Sequence, residues 1–145
     1  MEIDLKKIDE LNILVSKSRV AQCQLIELKN SEINNLILKI CSKILNETNN
    51  KYLSTLAVEE TKFGNIQDKI KKNLYKTTNL INELINVITL KPVHNNKTNI
   101  SKILKPIGVI CGVTPSTNPI ATSLTYIISS IKCRQENGSR RKLRN

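Results

Sequence analysis

The residues of this chain with the most chemistry to offer stand in one short run, Thr114-Pro115-Ser116-Thr117-Asn118-Pro119. Small hydroxylated side chains and one amide precede a stretch that can open a helix. Backbone N–H groups at a helix start, joined by an amide, can hold an anion or polarise an oxygen. The same residue types also cap helices, and capping by Thr117 or Asn118 is the commoner use of such a turn. Upstream lies Lys105-Pro106-Ile107-Gly108-Val109-Ile110-Cys111-Gly112-Val113, which reads as a short buried strand over 107–113. A strand that runs through a turn into a helix is where open α/β sheets bind nucleotides. The spacing of Gly108 and Gly112 does not amount to a dinucleotide fingerprint.

The remaining chemistry-bearing residues are scattered. The four cysteines, Cys23, Cys41, Cys111 and Cys133, form no Cys-x-x-Cys pair, and His94 is the one histidine, so no zinc site is expected. Cys111, between Ile110 and Gly112, is expected to be a small buried hydrophobe. Cys23 and Cys41 fall in helical patterns and are expected to pack. Cys133 follows Lys132 and precedes Arg134 at the expected end of a helix. Glu59 and Glu60 are adjacent carboxylates, read as a solvated helix face or as partners of Lys62 or Lys69. His94 lies in a polar stretch without partner residue types and is expected to face solvent.

These residues must be positioned by a mainly helical chain. Ile3, Ile8, Leu11, Leu14 and Val15 predict an amphipathic helix over 3–20. A second helix starts near Ser31, with Asn30 or Ser31 as its cap, and carries Ile33, Leu36, Ile37, Ile40, Ile44 and Leu45. A third covers about 50–63 and breaks at Gly64. A fourth runs from Ile66 to Leu90, with Ile66, Ile70, Leu74, Leu80, Leu84 and Ile88 near helical period, and Pro92 ends it. The polar segment 94–99 precedes a short strand at Ile100, Ile103 and Leu104, and the Lys105-Pro106 step predicts a bend or edge. Pro119 suits the first turn of a helix over 120–133. The expected core is Ile33, Leu36, Ile40, Ile44, Ile70, Leu84 and Ile88.

The 145 residues suffice for one domain with a modest core. The net charge of +11 raises the prior for nucleic acid or an anionic surface. Its distribution weighs against both, because residues 132–145 supply five of those charges. The four aromatics, Tyr52, Phe63, Tyr75 and Tyr126, are not interleaved with the basic residues as a stacking platform requires. No stretch has the roughly 20 apolar residues that span a bilayer. The start Met-Glu-Ile-Asp has no apolar run, so no signal peptide is expected. Unpaired thiols then point to the cytoplasm.

Two motifs carry a family resemblance. The run KPIGVICGVTPSTNP, followed by a small-residue helix ending Ile131-Lys132-Cys133-Arg134, resembles the CoA-acylating aldehyde dehydrogenases. These include the N-terminal half of the bifunctional aldehyde–alcohol dehydrogenases and the acylating propionaldehyde and sulfoacetaldehyde enzymes. Upstream, Ala57 to Asn73 (AVEETKFGNIQDKIKKN) is similar to a second run of that family, in the right order. The resemblance covers about residues 8–134. It implies an α/β aldehyde dehydrogenase fold. This chain would supply a mainly helical part of it: about four helices over 1–91, then a short β-hairpin or bend and one βα unit of an incomplete Rossmann-type sheet over 100–134. It implies NAD as cofactor, and an aldehyde and CoA as substrates converted to acyl-CoA. Thr114, Pro115, Ser116 and Thr117 would lie along the cofactor. Thr117 and Asn118 compete for the oxyanion position.

The resemblance also places the catalytic cysteine well over a hundred residues beyond this turn, and the next strand of the sheet just after Arg134. The sequence turns instead to Gln135-Glu136-Asn137-Gly138, and residues 135–145 read as a disordered basic tail. Periodicity, apolar content and family likeness stop together, which predicts a lost reading frame or a truncation. The expected product is inactive alone. It self-associates or pairs with a full-length homologue. The competing reading is a basic helical module that contacts nucleic acid or a partner subunit.

Overall fold

A computed structural model describes residues 5–89, 92–103 and 105–133. Five helices run α1 (Leu5–Glu27), α2 (Asn30–Ile44), α3 (Glu47–Thr61), α4 (Ile66–Leu84) and α5 (Pro119–Lys132). A two-stranded antiparallel hairpin, β1 (Val93–Asn95) and β2 (Ile100–Lys102), lies between α4 and α5. The mainly helical reading with a small hairpin is what the chain adopts. The expected tail, 135–145, lies outside the described residues.

Local chemistry explains the boundaries. The Asn46 side chain accepts the Asn49 N–H at 2.8 Å at the start of α3, and Asn65 accepts that of Asp68 at 2.8 Å at the start of α4. At the start of α2 the Lys29 N–H donates to the Glu32 carboxylate at 2.6 Å. Lys62 closes α3 in the left-handed conformation, with a φ of 54°. Gly64 follows at φ 76°, where a side chain would be strained. In the hairpin Val93 pairs with Lys102, His94 with Ser101 and Asn95 with Ile100. The Asn95 side chain accepts from the Lys97 N–H at 3.0 Å and turns the chain. The polar segment expected to be all loop therefore begins as a strand.

The core is the apolar stripe of α2 against α5: Ile33, Ile37, Cys41, Leu124 and Ile128. Leu36, Ile44, Leu80, Leu84, Ile120 and Ile131 pack around it. Helix α5 lies against α2, α3 and α4. Three expectations change. Helix α4 ends at Leu84, and Ile88 is exposed. Helix α1 reaches Glu27 with none of its residues buried. The segment 107–113 is extended but pairs with no strand among the described residues. Its apolar residues need cover on both faces, and that cover is missing: Ile107 is 88 % exposed and Val113 83 %. Cys111 is likewise exposed, not buried. Gly112 passes so close to the Tyr126 ring that an added Cβ would lie 2.7 Å from Cδ2.

The seam between α3 and α4 is polar. The Asn73 amide donates to Asn50 Oδ1 at 2.9 Å and to Ser54 Oγ at 3.2 Å, and the Asn50 amide donates to the Ile70 carbonyl at 3.2 Å. All three side chains are buried. Lys132, 1 % exposed, donates to Asn34 Oδ1 at 2.6 Å, and Asn34 donates to the Ile85 carbonyl at 2.9 Å. This contact ties the end of α5 to α2 and to the residue after α4.

Candidate functional site

The structure brings the two motifs together. Lys69, in the first turns of α4, donates from Nζ to the Thr117 carbonyl at 3.0 Å. Around that bond is a cleft of about 190 Å³ lined by Phe63, Gly64, Asn65, Asp68, Lys69, Lys72, Thr117 and Asn118. Six of those eight residues belong to the upstream motif and two to the turn. A second cleft, about 200 Å³, lies on the other side of Asn118 and is lined by Lys72, Lys76, Asn118, Ala121, Thr122 and Thr125. Asn118 and Lys72 border both.

Thr114, Pro115, Ser116 and Thr117 are exposed, and Asn118 is half-buried. Asn118 occupies the cap position of α5 without a side-chain capping bond, and Pro119 takes the first turn. In this it departs from Asn46 and Asn65, whose side chains do cap. Its amide makes one long contact, 3.4 Å to Thr117 Oγ1. The capping use of Asn118 is thus not realised, and the residue borders both clefts.

The other candidates stand apart. Glu59 and Glu60 are exposed at the end of α3. His94 is exposed on β1, with Nδ1 2.9 Å from Ser101 Oγ. Cys23 and Cys133 are exposed, so of the two cysteines expected to pack only Cys41 does. Burial pushes the Cys41 thiol up. Among the described residues no group of three His, Cys, Asp or Glu could hold a metal, and no helix is long and apolar enough to cross a membrane. Sequence reading included Lys72 in the upstream motif and passed over Lys76, which only the packing of α4 on α5 sets beside the turn.

No family model matches the chain. Individual relatives do. It is 32 % identical over 121 residues to the sulfoacetaldehyde dehydrogenase (acylating) of Cupriavidus necator, covering 83 % of this chain and 24 % of that protein. It is 33 % identical over 133 residues to aldehyde-alcohol dehydrogenase 2 of Entamoeba histolytica, covering 87 % of this chain and 15 % of that protein. Its homologues are the acylating aldehyde dehydrogenases. A crystal structure described as a probable aldehyde dehydrogenase from Listeria monocytogenes superposes with a TM-score of 0.80 at 28 % identity, over 94 % of this chain and 30 % of that one. The chain therefore has the fold of part of an aldehyde dehydrogenase, and it spans about a quarter or less of the length of these acylating relatives.

Proposed function

We propose that the chain forms one wall of the active site of an NAD-dependent, CoA-acylating aldehyde dehydrogenase. The reaction is aldehyde, CoA and NAD⁺ to acyl-CoA, NADH and a proton. The observation that carries this reading is the Lys69–Thr117 bond, which locks the two motifs shared with that family into one site. NAD, when bound, would accept the hydride. The exposed small residues Thr114, Pro115, Ser116 and Thr117 suit a flat ring that must approach backbone closely. Asn118, with its amide largely uncommitted, is the better placed donor to an oxyanion, and Thr117 is the competing one. The attacking thiolate belongs to a cysteine outside these 145 residues, because a thioester intermediate needs a thiol facing the turn. None of the four cysteines is positioned by either cleft.

On this reading the 145-residue polypeptide, residues 1–134 of it dehydrogenase domain, is inactive alone and works in association with the remainder of such an enzyme. The exposed segment 107–113 supports that association. Four unpaired thiols support a cytoplasmic location. The test is reconstitution. The chain alone, given acetaldehyde, NAD⁺ and CoA, yields no NADH. Co-expressed with the complementary segment of an acylating enzyme, it restores NADH production, and Asn118→Ala in that complex lowers kcat about 100-fold. Turnover by the chain alone would overturn the inactivity. A larger loss in Thr117→Ala than in Asn118→Ala would move the oxyanion role to Thr117.

A further inference from the structure

Among the described residues the largest fully buried side chain is a charged one. Lys132, in the last turn of α5, is 1 % exposed. Its ammonium donates to Asn34 Oδ1 at 2.6 Å and reaches the Ile85 carbonyl at 3.4 Å. The Asn34 amide donates to that same carbonyl at 2.9 Å. Ile85 closes α4 in the right-handed helical conformation, and no basic residue stands in the last turn of α4. The final carbonyls of a helix have no partner within it, so here α2 and α5 supply donors. Taking an ammonium out of water is costly, and an apolar side chain of similar volume would fill the space without that cost. The reason for a lysine lies in how α4 and α5 run.

Two contacts show that they run parallel. Lys69, near the start of α4, holds the Thr117 carbonyl just before α5, and Lys132 at the end of α5 reaches Ile85 at the end of α4. Lys69 to Ile85 is about 24 Å along α4, and Asn118 to Lys132 about 21 Å along α5, at about 1.5 Å per residue. The spans match, so the two helices are clamped at both ends. Parallel helices also set their negative ends side by side, and a cation buried there answers both. We propose that Lys132 is a positioning residue. It fixes how far α5 slides along α4, and through that rod it sets Thr117 and Asn118 at the other end. The consequence for catalysis rests on the dehydrogenase reading; the placement of the turn does not.

The test uses the 145-residue chain and backbone amide NMR. Lys132→Met keeps most of the length of the side chain and removes its charge. It is expected to move the folded-state amide resonances of Thr117, Asn118 and Ile120. A variant that only lowered stability would change the folded fraction and leave those resonances in place. Nor does the lost charge reach them directly, because at 0.1 M salt charges are screened over about 10 Å. Asn34→Ser, which keeps Lys132 and its Ile85 contact, moves the same amides less, and it carries the test should the methionine variant not fold. Cys41→Ala, a loss from the core that keeps the residues of both clamps, leaves them unmoved. In the reconstituted complex Lys132→Met lowers kcat about tenfold with KM for NAD⁺ unchanged, since a donor displaced by a fraction of an ångström loses part of its effect. The proposal is overturned if neither Lys132→Met nor Asn34→Ser moves the turn amides, if Cys41→Ala moves them as far, or if kcat of an active complex is unchanged. A complex of the unsubstituted chain that makes no NADH sinks the dehydrogenase reading instead, and the amide result then judges the clamp.

Discussion

Cys41 lies among Ile33, Ile37, Leu124 and Ile128, 4 % exposed, and desolvation raises its pKa. The other three cysteines face solvent. A thiol reagent therefore labels Cys23, Cys111 and Cys133 quickly in the native chain and Cys41 only on unfolding. Mass spectrometry of the labelled peptides gives the order directly. The same shift has a pH consequence. In the folded chain Cys41 keeps its proton at pH values where the unfolded thiol, near 8.5, ionises. The folded state then binds more protons than the unfolded one, so stability falls as pH rises. The contribution is whole below about pH 8.5 and is lost as pH climbs through the folded value. Urea midpoints measured at rising pH should decline, and Cys41→Val should remove that part of the decline. An unchanged slope in the valine variant would mean that Cys41 does not cause it.

Helices α2 and α5 carry the core, and single residues test it. Ile33→Ala or Ile128→Ala removes a fully buried side chain and should cost about 2–5 kcal/mol. Leu14→Ala on α1, 60 % exposed, should stay within about 0.5 kcal/mol. Denaturant titration separates the two classes. The α2 stripe was legible because its apolar residues recur at helical spacing against a polar remainder, and Pro119 and Gly64 marked their boundaries for chemical reasons. Helix α4 was misread because it buries Asn73 and Thr77 and exposes Leu74, and Ile88, counted in its stripe, lies beyond its end. Apolar periodicity is blind to a seam made of amides that satisfy one another. The candidate site divides the same way. The turn 114–118 announced itself by residue type, and Lys69 by its place in the upstream motif. Lys72 stood in the same motif, and Lys76 joins the site through the pairing of α4 with α5, a contact between distant parts of the chain with no local signature.

At the scale of the whole molecule, the exposed apolar surface decides behaviour. Leu5, Leu11 and Leu14 project from α1, and Ile107, Ile110 and Val113 from the extended segment before the turn. Patches of this kind mark interaction surfaces or sites of aggregation. The extended segment adds main-chain N–H and C=O groups that no strand among the described residues satisfies, which makes it a template for another chain. The net charge of +11 opposes association, but salt screens charge over about 10 Å at 0.1 M and leaves the apolar contact intact. Self-association should therefore strengthen with added salt. In sedimentation velocity the chain should form concentration-dependent oligomers at moderate ionic strength. Ile107→Lys with Val113→Lys should shift it toward monomer, with helical circular dichroism unchanged because neither residue packs in the core. If the doubly substituted chain associates as before while Leu11→Lys with Leu14→Lys dissolves the oligomers, then α1 is the sticky face. The segment before the turn would then be exposed without being the contact.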